Sequence, residues 1–328
     1  MNPEVIKKIN REYETKRIKA YNDLVEKKKN IYDKIPRLQE IDDQINQYAM
    51  KTTRSILLAE ADDKDLYVKD LENKIDQLKK EKENILTQNN ISSSDLEVKY
   101  ECNICNDTGM VDNHKCNCYK QKLINYHYAS SNLFSLKDHN FDNFDFSLYS
   151  EEVDNSINVS PRKNITNIKA IADSFITNFE DPSQKNLLFT GESGLGKTYM
   201  SSCIANELLK KGKTVLYQTA PILMDKLIEY KFNKTDNSQK LYNDVFDVDL
   251  LIIDDLGVEN LNSIQFTELF TIINTRLLNT NRSTKTIIST NLSIEEMFKI
   301  YEERIMSRII GNYSICKFIG DDIRIKKR

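Results

Sequence analysis

One octapeptide, Gly-Glu-Ser-Gly-Leu-Gly-Lys-Thr at Gly191–Thr198, constrains the fold of this chain more than any other stretch. The apolar run Asn186-Leu-Leu-Phe-Thr190 leads into it and has the length and composition of a buried strand. Behind it Met200, Cys203, Ile204 and Leu208 recur at helical spacing. Strand, glycine-rich loop, Lys-Thr and helix in that order make a phosphate-binding loop; a chance glycine turn would lack the flanking elements. Glycine lets successive backbone N–H groups turn inward around an anion, and the helix that follows adds its positive N-terminus. Gly191, Glu192, Ser193, Gly194, Leu195 and Gly196 are thus expected to wrap the phosphates of ATP. Lys197 would neutralise the β- and γ-phosphates, and Thr198 would place its hydroxyl on Mg²⁺.

Strands and helices alternate through the rest of the C-terminal half. A helix is expected over 165–179, strands over 214–218, 250–254, 286–290 and 314–319, and helices over 221–230, 264–279 and 294–310. Strands separated by helices imply a parallel sheet covered on both faces, an α/β class. Asp249-Leu-Leu-Ile-Ile-Asp254-Asp255 is a run of buried aliphatics that ends in two carboxylates. In an open α/β sheet ligands gather at the carboxyl ends of strands, so Asp254 would hold Mg²⁺ through water and Asp255 would orient or deprotonate the attacking water. The strand Thr286-Ile-Ile-Ser-Thr ends in Asn291, which resembles the sensor amide of AAA+ ATPases; the bland reading is a helix cap, a task that Ser293 can also perform. Arg304 and Arg308 lie four residues apart on one helical face. Either is a solvated surface charge or an arginine offered to a neighbouring subunit's γ-phosphate, with Arg308 the stronger candidate and Arg276 a weaker one.

Glycine usage separates the two halves: the first of eight glycines is Gly109. Residues 1–100 also lack Phe and Cys and hold 20 acidic and 20 basic residues, which suits long polar helices. Ile6, Ile9 and Tyr13, then Ile41, Ile45 and Tyr48, then Leu71, Ile75, Leu78 and Ile85 recur at helical spacing, with Lys82 at one interruption and Pro36 marking a turn. This region is either a solvated coiled-coil stalk or a docking module. Four of six cysteines crowd into Cys102-x2-Cys105-x10-Cys116-x-Cys118. Four soft thiolates in a short loop favour tetrahedral, structural Zn²⁺, although the C-x-C end leaves room for His114 to replace one thiol. The expected division is a helical region 1–100, a zinc unit 101–128, a linker 129–164 and the ATPase domain 165–328. A net charge of −3 with 30% charged residues rules out a general polycation, so any DNA contact is a local patch. The polar N-terminus and the lack of an 18-residue apolar run lead to the expectation of a cytoplasmic protein without membrane contact.

With the phosphate loop, Asp254-Asp-Leu-Gly257 followed by Glu259, Ser289-Thr-Asn291 and Glu303-Arg304-Ile-Met-Ser-Arg308-Ile-Ile-Gly311 in order, residues 140–320 resemble the bacterial replicative helicase loaders of the DnaC/DnaI type. The upstream helical region and the Cys-x-x-Cys-x-Asp-Thr-Gly element resemble the version seen in low-GC Gram-positive bacteria. The resemblance implies an AAA+ fold, an ATPase that works slowly until stimulated, a hexameric helicase partner docked through residues 1–100, ATP-dependent self-association and contact with single-stranded DNA. Asp255 stands where many relatives carry Glu, which suits a switch better than fast hydrolysis. Only 17 residues follow Gly311, so the expected pocket lacks a full lid and closes against a neighbour. One basic strip for DNA is Lys210, Lys211, Lys213, Lys226, Lys231 and Lys234, interleaved with Tyr230 and Phe232. The alternatives are a transposition helper ATPase with the same core and a non-hydrolysing adaptor that uses ATP as a structural ligand.

Overall fold

The computed structural model of the chain describes residues 3–58, 64–127, 139–153, 158–233, 235–258, 262–279 and 283–326. It divides into two compact units, Lys8–Asp112 and, together with the first residues of the chain, Asn113–Arg328.

The first unit is built on α1 (Pro3–Lys34), α2 (Pro36–Leu58) and α3 (Lys64–Gln88). Pro36 has no N–H to donate and begins α2, so the chain breaks between α1 and α2 at Ile35. Leu38 from α2, Leu86 from α3 and Leu96 from the following turn make a small core, flanked by Ile31, Tyr32 and Ile85. Lys82, which interrupts the apolar stripe of α3, pairs with Asp42 of α2 at 2.5 Å, and Arg37 pairs with Glu81 at 2.8 Å. The interruption is therefore an interhelical tie.

The second unit holds a parallel five-stranded sheet. The two-residue strand β1 (Met110–Val111) ends the first unit, and β2 (His114–Lys115), α4 (Asn117–His127) and α5 (Pro161–Thr177) open the second. Then follow β3 (Asn186–Thr190), α6 (Lys197–Lys210), β4 (Val215–Thr219), α7 (Ala220–Phe232), α8 (Asp236–Asp247) and β5 (Leu250–Leu256). The series ends with α9 (Ser263–Leu278), β6 (Lys285–Thr290), α10 (Ile294–Ile300), α11 (Glu303–Asn312), β7 (Tyr313–Lys317) and α12 (Ile323–Lys326). Strand order is β4-β5-β6-β3-β7, and every pairing is parallel. Because helices cover both faces, β3 and β6 are buried at every position. On one face Phe189, Tyr217, Ile252 and Ile287 pack with Ile168 and Phe175 of α5 and Met200 and Ile204 of α6. On the other, Leu188, Leu216, Leu251 and Ile288 pack with residues of α7, α9 and α11. This is the expected α/β fold with a P-loop AAA+ core.

Several local expectations need correction. The helix expected over 294–310 is two helices: Tyr301 is 3% exposed, packs in the core against Phe266 and takes an extended conformation that ends α10. No helix was expected between Tyr230 and Leu250, yet α8 is there, started by a Thr235–Ser238 capping box that its polar composition conceals. The described part of the 129–164 stretch is not a linker. Phe144 and Tyr149 are buried in the sheet's core, and Arg162 fastens the segment by donating to the carbonyls of Tyr149 and Ser147.

The boundary expected at 128 also shifts, because α4 belongs to the second unit. The Gln121 side chain donates to Val215 O at 2.8 Å and accepts from Val215 N at 2.7 Å, as a neighbouring strand would. Asn117 donates to Gly212 O at 3.0 Å, and Ile124 joins the core. A side-chain amide thereby closes part of an edge strand that would otherwise present unpaired backbone groups. Among the described residues, no helix is long and apolar enough to cross a membrane.

Arg276, weighed as a nucleotide contact, lies instead at the amino-terminal ends of the strands. It is 3% exposed and donates to the carbonyls of Val245, Val248, Asp249 and Lys285 and to the Thr286 hydroxyl. Every guanidinium donor is engaged. Arg276→Leu strands these carbonyls in a dry environment and is expected to lower unfolding free energy by about 3–5 kcal/mol. Urea unfolding followed by circular dichroism measures the loss; a change below about 1 kcal/mol would show that the carbonyls find other partners.

Candidate nucleotide site and thiol cluster

β3 delivers the chain into Gly191–Gly196, and α6 begins at Lys197, so the loop wraps the start of a helix at the carboxyl end of the central sheet. Gly194 and Gly196 have φ of +80° and +93°, and a Cβ at either would overlap Asp322 or the Tyr149 hydroxyl respectively. These two positions therefore need glycine for backbone and for space. The loop is held from both sides. Tyr149 donates to Leu195 O at 3.0 Å, while Ile323 N donates to Gly194 O at 3.1 Å and Arg324 to the Ser193 hydroxyl at 3.3 Å.

Four expected residues converge here. Lys197 Nζ donates to Gly191 O and Glu192 O, both at 2.6 Å, and to Asn291 Oδ1 at 2.8 Å. The helix cap that Asn291 could have supplied is provided by Ser293, whose hydroxyl accepts from Glu296 N while the Glu296 carboxylate accepts from Ser293 N. Thr198 Oγ1 donates to Asp254 Oδ2 at 3.1 Å. Asp254 also accepts from the Tyr217 hydroxyl at 2.7 Å and from Ser289, and it is 2% exposed. Burial lowers the Lys197 pKa, a tendency that the charges of Asp255 and Asp254 oppose.

Asp255 is presented by a bulge. Between Ile253 and Leu256 strand β5 carries one residue more than β6 does between Ile288 and Thr290, and Asp255 adopts φ +55°. Its N–H donates to the Ser289 hydroxyl at 3.1 Å. Burial first, and the neighbouring Asp254 second, raise its pKa, against the pull of Lys197 and Arg324. The site thus holds a lysine, an arginine and two carboxylates at the ends of three strands. A hydroxyl and a carboxylate 3.1 Å apart are hard oxygen donors, a set that suits Mg²⁺.

Other expected residues are placed differently. Arg304 pairs with Glu302 at 2.5 Å and lies 4.8 Å from the centre of the Phe270 ring. Arg308 is exposed on α11, with no hydrogen-bond or ion-pair partner for its guanidinium among the described residues. The suggested basic strip is largely neutralised: Lys210 pairs with Glu207, Lys213 with Glu180 and Lys231 with Glu268, while Lys211 donates to Ile176 O. Tyr230 stacks on Tyr242 at 4.3 Å, and Phe232 is exposed. Lys234 and Glu259 lie outside the described residues. Arg324 and Tyr217 were not expected. The first sits in a charged tail with no periodicity, the second beside Val215 and Leu216 in a strand where it reads as one more core residue.

In the cysteine loop the sulfurs of Cys102, Cys105, Cys116 and Cys118 all lie within 4.8 Å of one another. The Gly109 N–H donates to Cys105 Sγ at 3.3 Å, and Asp107 accepts from the backbone N–H groups of Glu101 and Cys102. Asn106 and Asp107 take positive φ, which folds the first thiol pair into a tight knuckle. Four converging soft donors fit tetrahedral Zn²⁺. His114 is exposed on β2 and is not one of the converging four.

The IstB-like ATP binding protein family matches residues 130–328. The replicative helicase loader DnaC of Escherichia coli K12 is 32% identical over 145 residues, covering 44% of this chain and 58% of the relative. DnaC of Buchnera aphidicola subsp. Baizongia pistaciae is 31% identical over 144 residues, covering 43% of this chain and 57% of the relative. The chain thus spans little more than half the length of these curated relatives. A solved structure described as the DnaC helicase loader aligns with a TM-score of 0.45 and 22% identity over 56% of this chain and 99% of that one. Another, described as DnaI, aligns with a TM-score of 0.44 and 24% identity over 58% and 93%. The family match takes in the phosphate loop, both carboxylates of β5, Asn291 and the α11 arginines, and on it the chain belongs to the IstB-like ATP binding proteins.

Proposed function

We propose that this protein is an ATPase that loads a hexameric replicative helicase onto single-stranded DNA. The observation that carries the nucleotide part is the convergence of Lys197, Thr198, Asp254 and Asn291 at the strand ends. Lys197 exchanges its carbonyl partners for the β- and γ-phosphates, and Thr198 and Asp254 hold Mg²⁺. Asp255 orients the attacking water, Asn291 senses the γ-phosphate, and Arg324 adds a positive charge from the same chain. The helicase part rests on the relatives named replicative helicase loader, which match 43–44% of this chain.

Residues 1–100 dock the helicase through exposed helical surface; the cysteine loop binds zinc and orders the chain where it enters the ATPase unit. Purified protein is expected to carry about one zinc per chain. Cys102→Ser combined with Cys105→Ser should release it, as measured by metal analysis; zinc retained by that variant would place the metal elsewhere.

Co-purification decides between a loader and a transposition helper. The full chain should retain a hexameric replicative helicase in the presence of ATP, and Lys197→Ala should weaken nucleotide binding by about a hundredfold or more, as expected from losing several charge-assisted hydrogen bonds. Single-stranded DNA binding should strengthen with ATP and fall steeply with salt, as counterion release requires. Helicase left unbound, or DNA binding indifferent to salt, would favour the helper or the adaptor.

Arg308 completes a neighbour's site. Its exposure, with no partner for the guanidinium among the described residues, fits a charge that acts outside its own subunit. Arg308→Ala is expected to bind ATP and lose stimulated hydrolysis, while Lys197→Ala loses both. Mixing the two inactive variants should restore part of the ATPase activity, because some interfaces pair an intact loop with an intact arginine. No recovery in chains that demonstrably co-assemble would mean that Arg308 either works within its own subunit or is a surface residue.

A further inference from the structure

The carboxylate of Asp254 is held from three elements. Thr198 of α6 and Tyr217 of β4 donate to Oδ2 at 3.1 and 2.7 Å, and Ser289 of β6 donates to Oδ1. Thr198 is the hydroxyl that any phosphate loop brings to this carboxylate. The phenol is different. It projects from the edge strand, two residues beyond Val215, the residue whose backbone pairs with Gln121. Tyr217 is fully buried among Phe189, Ile204 and Ile252, a setting where a Phe would pack equally well were the hydroxyl idle.

We infer that Tyr217 is a positioning residue for magnesium: its hydroxyl fixes the rotation of the Asp254 carboxylate so that the oxygens left by Thr198 and Ser289 face the ion's water shell. Neither Thr198 nor Ser289 alone can do this. One bond on each oxygen permits the carboxyl group to tilt, whereas a second donor on Oδ2, from the opposite side of the strand order, sets its plane. Strand register supports the assignment, since β4 pairs with β5 up to Thr219↔Asp254 and holds both residues on one rigid ladder. Tyr217 touches neither nucleotide nor metal; it acts through Asp254.

This inference rests on the nucleotide reading, and its test separates the two. A fluorescent non-hydrolysable ATP analogue is titrated into the full chain, first with EDTA and then with rising Mg²⁺. In Tyr217→Phe the Mg²⁺ concentration for half-maximal binding should rise about tenfold, the size of one hydrogen bond to a charged group, while EDTA affinity stays within about twofold. Ser289→Ala, a smaller change at the other oxygen, should shift the Mg²⁺ half-point in the same direction. Thermal melting without nucleotide serves as the structural control. If Tyr217→Phe folds poorly, Tyr217→Met, which also removes the hydroxyl, takes its place. An unchanged Mg²⁺ half-point in a folded Tyr217 variant overturns the inference. So does an equal loss with EDTA and with Mg²⁺, because that marks a packing role. Failure of the unmodified chain to bind the analogue at all would instead sink the nucleotide reading.

Discussion

Five parallel strands buried on both faces leave backbone groups at their ends that neither face can satisfy. At the amino-terminal end this chain meets the demand with polar side chains at or beside the first strand positions. Arg276 gathers carbonyls that precede β5 and the carbonyl of the first residue of β6. Lys285 donates to Asp181 O and Gln184 O ahead of β3, Asp249 accepts from Thr214 N ahead of β4, and Asn186 accepts from Thr286 N. The carboxyl-terminal end is left for chemistry. A sheet tied at one end can hold carboxylates and a phosphate loop at the other without losing register.

Register matters most at Asp254 and Asp255. Adjacent residues of a regular strand point to opposite faces, so two neighbouring carboxylates cannot both serve one site. The bulge after Ile253 relaxes that rule: Asp254 stays among the hydroxyls of Thr198, Tyr217 and Ser289, while Asp255 turns through a left-handed conformation. Aspartate tolerates such a φ better than most residues, at a cost on the order of 1 kcal/mol. Gly257 follows with φ +103°, and Thr290 donates to Leu256 O, so the strand's exit is fixed from β6.

The central strands and the phosphate loop were legible because each rests on local signals: an aliphatic run, a glycine spacing, a carboxylate at a strand end. The Asn291–Lys197 bond depends on β6 lying beside β3, a strand order that the expectation of a parallel sheet leaves open. What stayed hidden depends on long-range placement. Gln121 is one polar residue among several in α4, and only its distance to Val215 reveals that it closes the sheet edge. Tyr301 breaks a helix that its periodicity would continue, because its ring is drawn into the core. The lysines of the expected DNA strip were readable as charges, but the acidic partners of Lys213 and Lys231 lie far along the chain, at Glu180 and at Glu268 of α9.

The same long-range placement links Cys116 and Cys118 to the edge strand of the sheet. Cys116 O accepts from the backbone N–H groups of Tyr119 and Lys120 and so begins α4. One turn later Gln121 pairs with Val215, and two residues further along β4 the Tyr217 hydroxyl meets Asp254. A short helix with 11 residues is marginal by itself, so its order comes from what holds its ends and its buried face. The thiols hold one end, and the edge strand holds the face. Proteins commonly guard an edge strand with charge or proline. Here the guard is a helix anchored at a candidate metal site, and the strand it guards orients the buried carboxylate of the nucleotide site.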